Sequence, residues 1–217
     1  MSRLDELLAI MAMLRDPEHG CPWDLQQNFQ TIAPHTLEEV YEVVDTIDRQ
    51  DYLHLKNELG DLLFQVVFYA QLGREQQLFG FDDIVSEIID KLLQRHPHVF
   101  PDASMESFGR TSALTPGQVE SNWEAIKSAE RQQKSADSEA DESEQASVMD
   151  DIPLAFPALT RARKIQKRAA NLGFDWPDST GVFAKLAEEI VELQQAVAGK
   201  RADDIADELG DLLFTIV

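Results

Sequence analysis

The sequence predicts an all-α protein made of two tandem helical bundles joined by a flexible acidic segment. Three observations carry that expectation. Apolar residues recur at helical spacing over most of the chain, and alternating strand-like runs are scarce. Residues 132–151, QQKSADSEADESEQASVMDD, break the pattern with too few large apolar side chains to offset their conformational entropy. Finally, residues 38–64 and 188–214, offset by 150 without a gap, match at ten of 27 positions, and both end in E-L-G-D-L-L-F. Duplication explains that match more economically than chance.

The expected helices lie at about 3–15, 37–49, 52–78, 82–95, 117–133, 155–170, 180–198 and 201–217. The first, in MSRLDELLAIMAMLRD, is interrupted by acids and lacks a small-residue cleavage site. It reads as an amphipathic helix and not as a secretory signal. Thr36 followed by Glu39 has the form of a capping box, and Asp51 and Asp82 stand where N-caps are expected. Pro22, Pro34, Pro97 and Pro101 punctuate the connecting loops. The chain then divides into an N-terminal domain at 1–131, the linker at 132–151 and a C-terminal domain at 152–217.

Composition narrows the function. The 217 residues carry 40 acids against 19 bases, a formal net charge of −21, which disfavours a nucleic-acid polymer as partner. The apolar runs are too short to span a bilayer. One cysteine, Cys21, excludes an internal disulfide framework and fits a reducing cytoplasm.

The acids have a placement. Glu39 and Glu42 are three apart and share a helix face, as do Glu58 and Asp61 on the following helix. A short turn near 49–51 makes those helices antiparallel neighbours, so four carboxylates can converge between them. The second copy offers Glu189, Glu192, Glu208 and Asp211 at identical spacing. Two carboxylates ~5 Å apart repel by roughly 3 kcal/mol at an effective dielectric near 20. Converging acids must therefore point apart, hold protons or enclose cations. An all-oxygen set suits Mg²⁺ or Mn²⁺, and neither copy has histidine at zinc or di-iron spacing. The competing reading is a pair of solvated helix faces. The duplicated spacing and the flanking hydrophobic residues weigh against it.

The motif E-E-x-x-E … E-L-G-D-L-L-F resembles the MazG family of nucleoside triphosphate pyrophosphohydrolases. GCPWD, TIAPHTLEEVYEV, RHPHVF and KIQKRAANLGFDW are similar to segments of bacterial two-domain members. The resemblance implies two MazG-like helical domains, a homodimer, Mg²⁺ dependence, and cleavage of NTPs or dNTPs to the monophosphate and pyrophosphate. By position it implies that Glu189, Glu192, Glu208 and Asp211 bind magnesium, with Glu39, Glu42, Glu58 and Asp61 as the first copy's set. Lys185, Glu188, Asp204 and Asp207 fall in nucleotide-contacting segments. Glu188 is the candidate base for the attacking water, and Glu38 is its counterpart. Members of the family extend further, with basic and aromatic nucleotide contacts in that tail. The second domain, which stops at Val217 inside a helix, is therefore expected to be truncated.

The second copy has the stronger phosphate environment. The preceding helix carries Arg161, Arg163, Lys164, Lys167 and Arg168, of which Lys164 and Arg168 are candidate substrate contacts. The first copy has Arg49 and Lys56 nearby. The second is thus expected to be the main catalytic site, and the first structural, regulatory or weakly active. Trp23, Phe174 and Trp176 read more readily as core anchors than as base-stacking groups. His96 and His98 read as loop residues, and Cys21 as structural. Two alternatives stay open: a narrower dNTP or dUTP pyrophosphatase, and a nucleotide-sensing protein without turnover.

Overall fold

Helices and turns make up the regular structure of the computed structural model, which describes residues 2–110, 114–137, 149 and 152–217. No strand occurs among those residues. They fall into two units, Met1–Ala129 and Glu130–Val217.

In the first unit, α1 (Arg3–Leu14) is opened by Ser2, whose hydroxyl accepts from the Asp5 amide at 3.1 Å while the Asp5 carboxylate accepts from the Ser2 amide at 2.6 Å. A short helix, α2 (Pro22–Gln26), follows and leads into α3 (Phe29–Asp48), α4 (Tyr52–Glu75) and α5 (Phe81–Arg95). Then come a 3₁₀ turn at Met105–Ser107 and α6 (Pro116–Asp137), which begins in this unit and runs past its end at Ala129. α3 and α4 pack as an antiparallel hairpin, with α1 and α5 also against α4. Met11, Ile32, Val67, Phe68 and Leu72 form the core, with Leu7, Phe29, Phe64 and Tyr69 around it.

Arg15 ties this unit together. Its guanidinium donates to both Glu75 carboxylate oxygens, from Nε at 2.8 Å and Nη2 at 2.6 Å, lies 5.4 Å from the Phe68 ring centroid, and donates through Nη1 to the Asp24 carbonyl. The GCPWD segment is thereby fastened to α1 and α4. Cys21 belongs to the same junction, its amide donating to the Leu14 carbonyl at 2.7 Å.

The second unit contains α7 (Ala158–Asn171), α8 (Ser179–Gly199) and α9 (Ala202–Ile216). α7 ends on Gly173, in the left-handed region at φ +89°, and the Phe174 amide returns to the Ala169 carbonyl at 3.0 Å. Asp178 caps α8 by accepting from the Thr180 amide at 2.7 Å. α8 and α9 form a hairpin equivalent to α3 and α4, and α7 packs on α9. The two hairpins turn alike: Gln50 (φ 56°) and Lys200 (φ 54°), 150 positions apart, both adopt the left-handed conformation.

Several local expectations change. α3 begins at Phe29, eight residues before the expected start. Asn28 caps it, accepting from the Gln30 and Thr31 amides at 3.0 Å each, and Pro34 lies inside the helix. Pro34 falls in the second turn, where it forgoes the hydrogen bond to the Gln30 carbonyl and its ring crowds that carbonyl. Thr36 and Glu39 are therefore not a capping box. The Thr36 hydroxyl donates back to the Ile32 carbonyl at 3.3 Å and pairs with Tyr69 Oη at 2.8 Å. Pro22 opens α2 at its first position, where the missing N–H costs nothing. Asp51 caps α4, accepting from the His54 amide at 3.2 Å. Asp82 does not cap α5: that helix starts at Phe81, and Asp83 accepts from the Gly80 amide at 2.7 Å. α6 runs through Asp137 into the expected linker. Gln, Lys and Ala there are good helix formers. The rest of that expected linker, apart from Met149, lies outside the described residues. Trp23, Trp176 and Phe174 are not core anchors, being 49%, 53% and 82% exposed.

Candidate metal centre

An E-x-x-D pair on one helix and a glutamate on its antiparallel neighbour suffice to bring three carboxylates together, and this happens in both hairpins. Glu39 on α3 with Glu58 and Asp61 on α4 each offer an oxygen within 4.8 Å of the others, as do Glu189 on α8 with Glu208 and Asp211 on α9. Glu42 and Glu192 are not members of these triads. They remain within electrostatic reach. Desolvation first, then the charges of Asp61, Glu42, Glu58 and Glu38, push the Glu39 carboxyl above its ordinary value. Glu208 is raised in the same way, by desolvation and then by Glu192, Asp211, Glu189 and Asp204.

The triads differ in burial. Glu189 is 2% exposed, and its Oε2 is buried without a hydrogen-bond partner among the described residues. A buried carboxylate oxygen with no donor is costly unless something positive meets it. Glu39 is only partly buried. Glu42 lies on an open groove of α3 with Pro34, Leu37, Glu38, Tyr41 and Asp45, whereas Glu192 is half-buried. One turn beyond Asp61 on α4, Gln65 is 5% exposed, and its Oε1 also lacks a hydrogen-bond partner among the described residues.

Lys185 is the cation that meets the second triad. Its Nζ lies 2.7 Å from Glu189 Oε1 and 2.9 Å from Glu188 Oε1. These two carboxylates, Glu189 first, raise the ammonium's pKa well above the usual lysine value. The position equivalent to Lys185 in the first hairpin is His35. It sits 3.8 Å from Glu38 and edge-on to Trp23, and among the described residues it makes no ion pair with Glu39. The structure therefore joins Lys185, Glu188 and Glu189 directly. Asp204 is half-buried one turn before Glu208 and pairs with Arg201; Asp207 is exposed beside Glu208. Lys164 lies over the Phe156 ring, 4.5 Å from its centroid, and Arg168 occupies the last turn of α7. The Lys185–Glu189 bridge was readable from its i, i+4 spacing. The burial that makes it consequential was not.

These geometries suit a hard divalent cation: all-oxygen donors, excess negative charge and, at Glu189, a buried oxygen awaiting a positive partner. No helix of the described residues is long and apolar enough to cross a membrane.

Comparison with known proteins agrees with this arrangement. A family model described as the MazG nucleotide pyrophosphohydrolase domain matches residues 27–100 and 178–217, one segment over each hairpin. A nucleoside triphosphate pyrophosphohydrolase of Escherichia coli K12 is 51% identical over 221 residues, spanning 100% of this chain and 77% of the relative. A Thermotoga maritima relative, a nucleoside triphosphate pyrophosphohydrolase/pyrophosphatase MazG, is 40% identical over 98% of this chain and 73% of its own length. A nucleoside triphosphate pyrophosphohydrolase of Mycolicibacterium smegmatis is 29% identical over 95% of this chain and 64% of its own.

Proposed function

The chain belongs to the MazG family of nucleotide pyrophosphohydrolases, and from that premise we propose that it hydrolyses nucleoside triphosphates, ribo or deoxy, to the monophosphate and pyrophosphate at the second triad. The observation that carries the assignment is Glu189: buried, with one oxygen unpartnered, inside a three-carboxylate cluster. Glu189, Glu208 and Asp211 would hold Mg²⁺, or Mn²⁺ in its place, with Glu192 as a further candidate ligand from the next turn of α8. The bound cation supplies charge neutralisation and orientation at the phosphoryl oxygens.

The remaining work falls to the chain's own groups. Glu188, held by Lys185 beside the triad, takes the proton of the attacking water. Lys185 meets triphosphate oxygens, helped by Lys164 and Arg168 on α7, while Asp204 and Asp207 on α9 bind and orient the nucleotide. The first triad, Glu39, Glu58 and Asp61 with Glu42, serves a structural, regulatory or weakly active role. Its Glu39 is more exposed, and the lysine position holds histidine. Exposed apolar residues on α8 and α9, among them Phe183, Val191, Val197, Leu209 and Leu213, support assembly as a homodimer. A cytoplasmic location fits the single cysteine.

The test is product analysis. Incubation with each NTP and dNTP plus Mg²⁺ should release monophosphate and pyrophosphate in equal amounts. Orthophosphate as the first product, or nucleotide binding without any product, overturns the proposal. Glu192→Ala should abolish most turnover and Glu42→Ala little of it; equal losses would overturn the ranking of the two triads.

A further inference from the structure

The two hairpins repeat the same acids at the same spacing but differ in one cation. Glu189 has two oxygens with different surroundings: Oε2 is buried and unpartnered, while Oε1 carries the Lys185 ammonium at 2.7 Å. The same ammonium reaches Glu188 at 2.9 Å, so one lysine pairs with a triad member and its neighbour together. The lysine side chain is 39% exposed and tethered by four methylenes, so it can leave the carboxylates without disturbing the helix. In the first hairpin, among the described residues, no lysine or arginine forms an ion pair with Glu39, Glu58 or Asp61.

A divalent cation and an ammonium on one carboxylate repel each other. We propose that Lys185 is a built-in counter-ion that competes with the metal for Glu189 and is handed to the triphosphate when metal and nucleotide bind together. The idea rests on reading the second triad as the metal site. It makes metal affinity at the second hairpin depend on nucleotide. Without a triphosphate, the lysine and the metal oppose each other at Glu189. With one, the phosphate oxygens receive the displaced ammonium, and both cations find anionic partners. By linkage the metal tightens nucleotide binding by the same factor. The first hairpin, with His35 in the equivalent place, binds its cation without this coupling. Lys185 thus acts as a positioning residue through Glu188 and Glu189, and as a phosphate ligand only after the exchange.

Two opposite signs test this. In the full chain carrying Glu58→Gln and Asp61→Asn, which silence the first triad, Mn²⁺ binding is followed by electron paramagnetic resonance without nucleotide. Lys185→Met should bind Mn²⁺ about tenfold more tightly, the scale of one charge-assisted contact removed from competition. Lys185→Arg should stay near the parent. At saturating Mn²⁺, the same Lys185→Met protein should bind a non-hydrolysable α,β-imido nucleotide about tenfold more weakly. A lysine that merely stabilises the fold would weaken both. Mn²⁺ affinity unchanged or weaker in Lys185→Met, with circular dichroism showing an intact fold, overturns the proposal. Glu189→Gln distinguishes the two failures. If it leaves Mn²⁺ binding intact, the metal assignment itself is wrong; if it abolishes binding and Lys185→Met has no tightening effect, only the exchange is wrong.

Discussion

Glu75 and Glu189 show two fates for a glutamate drawn into a helical bundle. Glu75 meets a guanidinium: hydrogen bonding from Arg15 holds its carboxyl below the ordinary glutamate value of 4.5. A depressed carboxylate stabilises the fold above its unfolded pKa and loses that contribution as pH falls through the folded one. Glu75→Gln should therefore cost about 1–2 kcal/mol at pH 7, allowing for screening at a carboxylate one-third exposed. That difference from the parent should shrink steadily as urea unfolding is repeated from pH 5 downward. A constant gap would mean that shape and not charge supports the contact. Glu189 lacks such a fixed partner on its buried oxygen. The sequence marked only the Glu189 site, and only indirectly. Lys185 to Glu189 is visible as an i, i+4 pair, and E-x-x-D is visible as a shared face. Arg15 to Glu75 spans 60 residues and leaves no local signal.

At the scale of elements, helical periodicity located α4, α8 and α9 to within a few residues, because each buries one stripe against its hairpin partner. The largest miss was at the N-terminus of α3. Pro34 suggested a boundary that Asn28 and Thr31 had already supplied one turn upstream, and a capping pattern at Thr36 was an accident of composition. The triads were legible because antiparallel hairpins with a short turn leave little freedom in register. That register depends on Gln50 and Lys200, both left-handed. A β-branched residue pays about 1–2 kcal/mol or more in that conformation. Lys200→Val should lower stability by about that amount and, by shifting α9 against α8, weaken Mn²⁺ binding at the second triad. Lys200→Gly should preserve both. Thermal unfolding and metal titration on the pair of variants check this. Equal metal affinity in all three proteins would mean that the turn does not set the register.

For the whole molecule, a charge of −21 and exposed apolar faces on both hairpins pull in opposite directions. Raising the ionic strength from about 0.05 to 0.5 M shortens the screening length severalfold, so self-association should strengthen with salt. Sedimentation velocity at both salts checks it; association that weakens with salt would place ion pairs, not apolar surface, at the interface. Divalent cations should do more than screen. At a hundredfold excess over its dissociation constant, a cation that binds only the folded form adds about 2.7 kcal/mol. Mg²⁺ should raise the melting temperature of the parent, with a smaller shift in Glu189→Gln and a smaller one still when Glu39→Gln is added. An Mg²⁺ shift identical in the parent and the double variant would detach the stabilisation from the triads. The duplicated architecture was legible because copies can be aligned within one chain. The inequality of the copies was not, since it lies in the burial of Glu189 and in what its oxygens touch.

The block E-L-G-D in both hairpins has one more consequence. Gly60 and Gly210 sit mid-helix between acids of each triad, and a Cβ at either would meet nothing within 4 Å. Alanine there would fit and would strengthen the helix by about 1 kcal/mol. Each copy thus keeps a bare strip of backbone on the helix that carries its acids, despite the gain available from a single methyl group. A stabilisation campaign guided by helix propensity alone would choose these two positions early, and at Gly210 it would raise the melting temperature from a part of the helix turned away from the carboxylates.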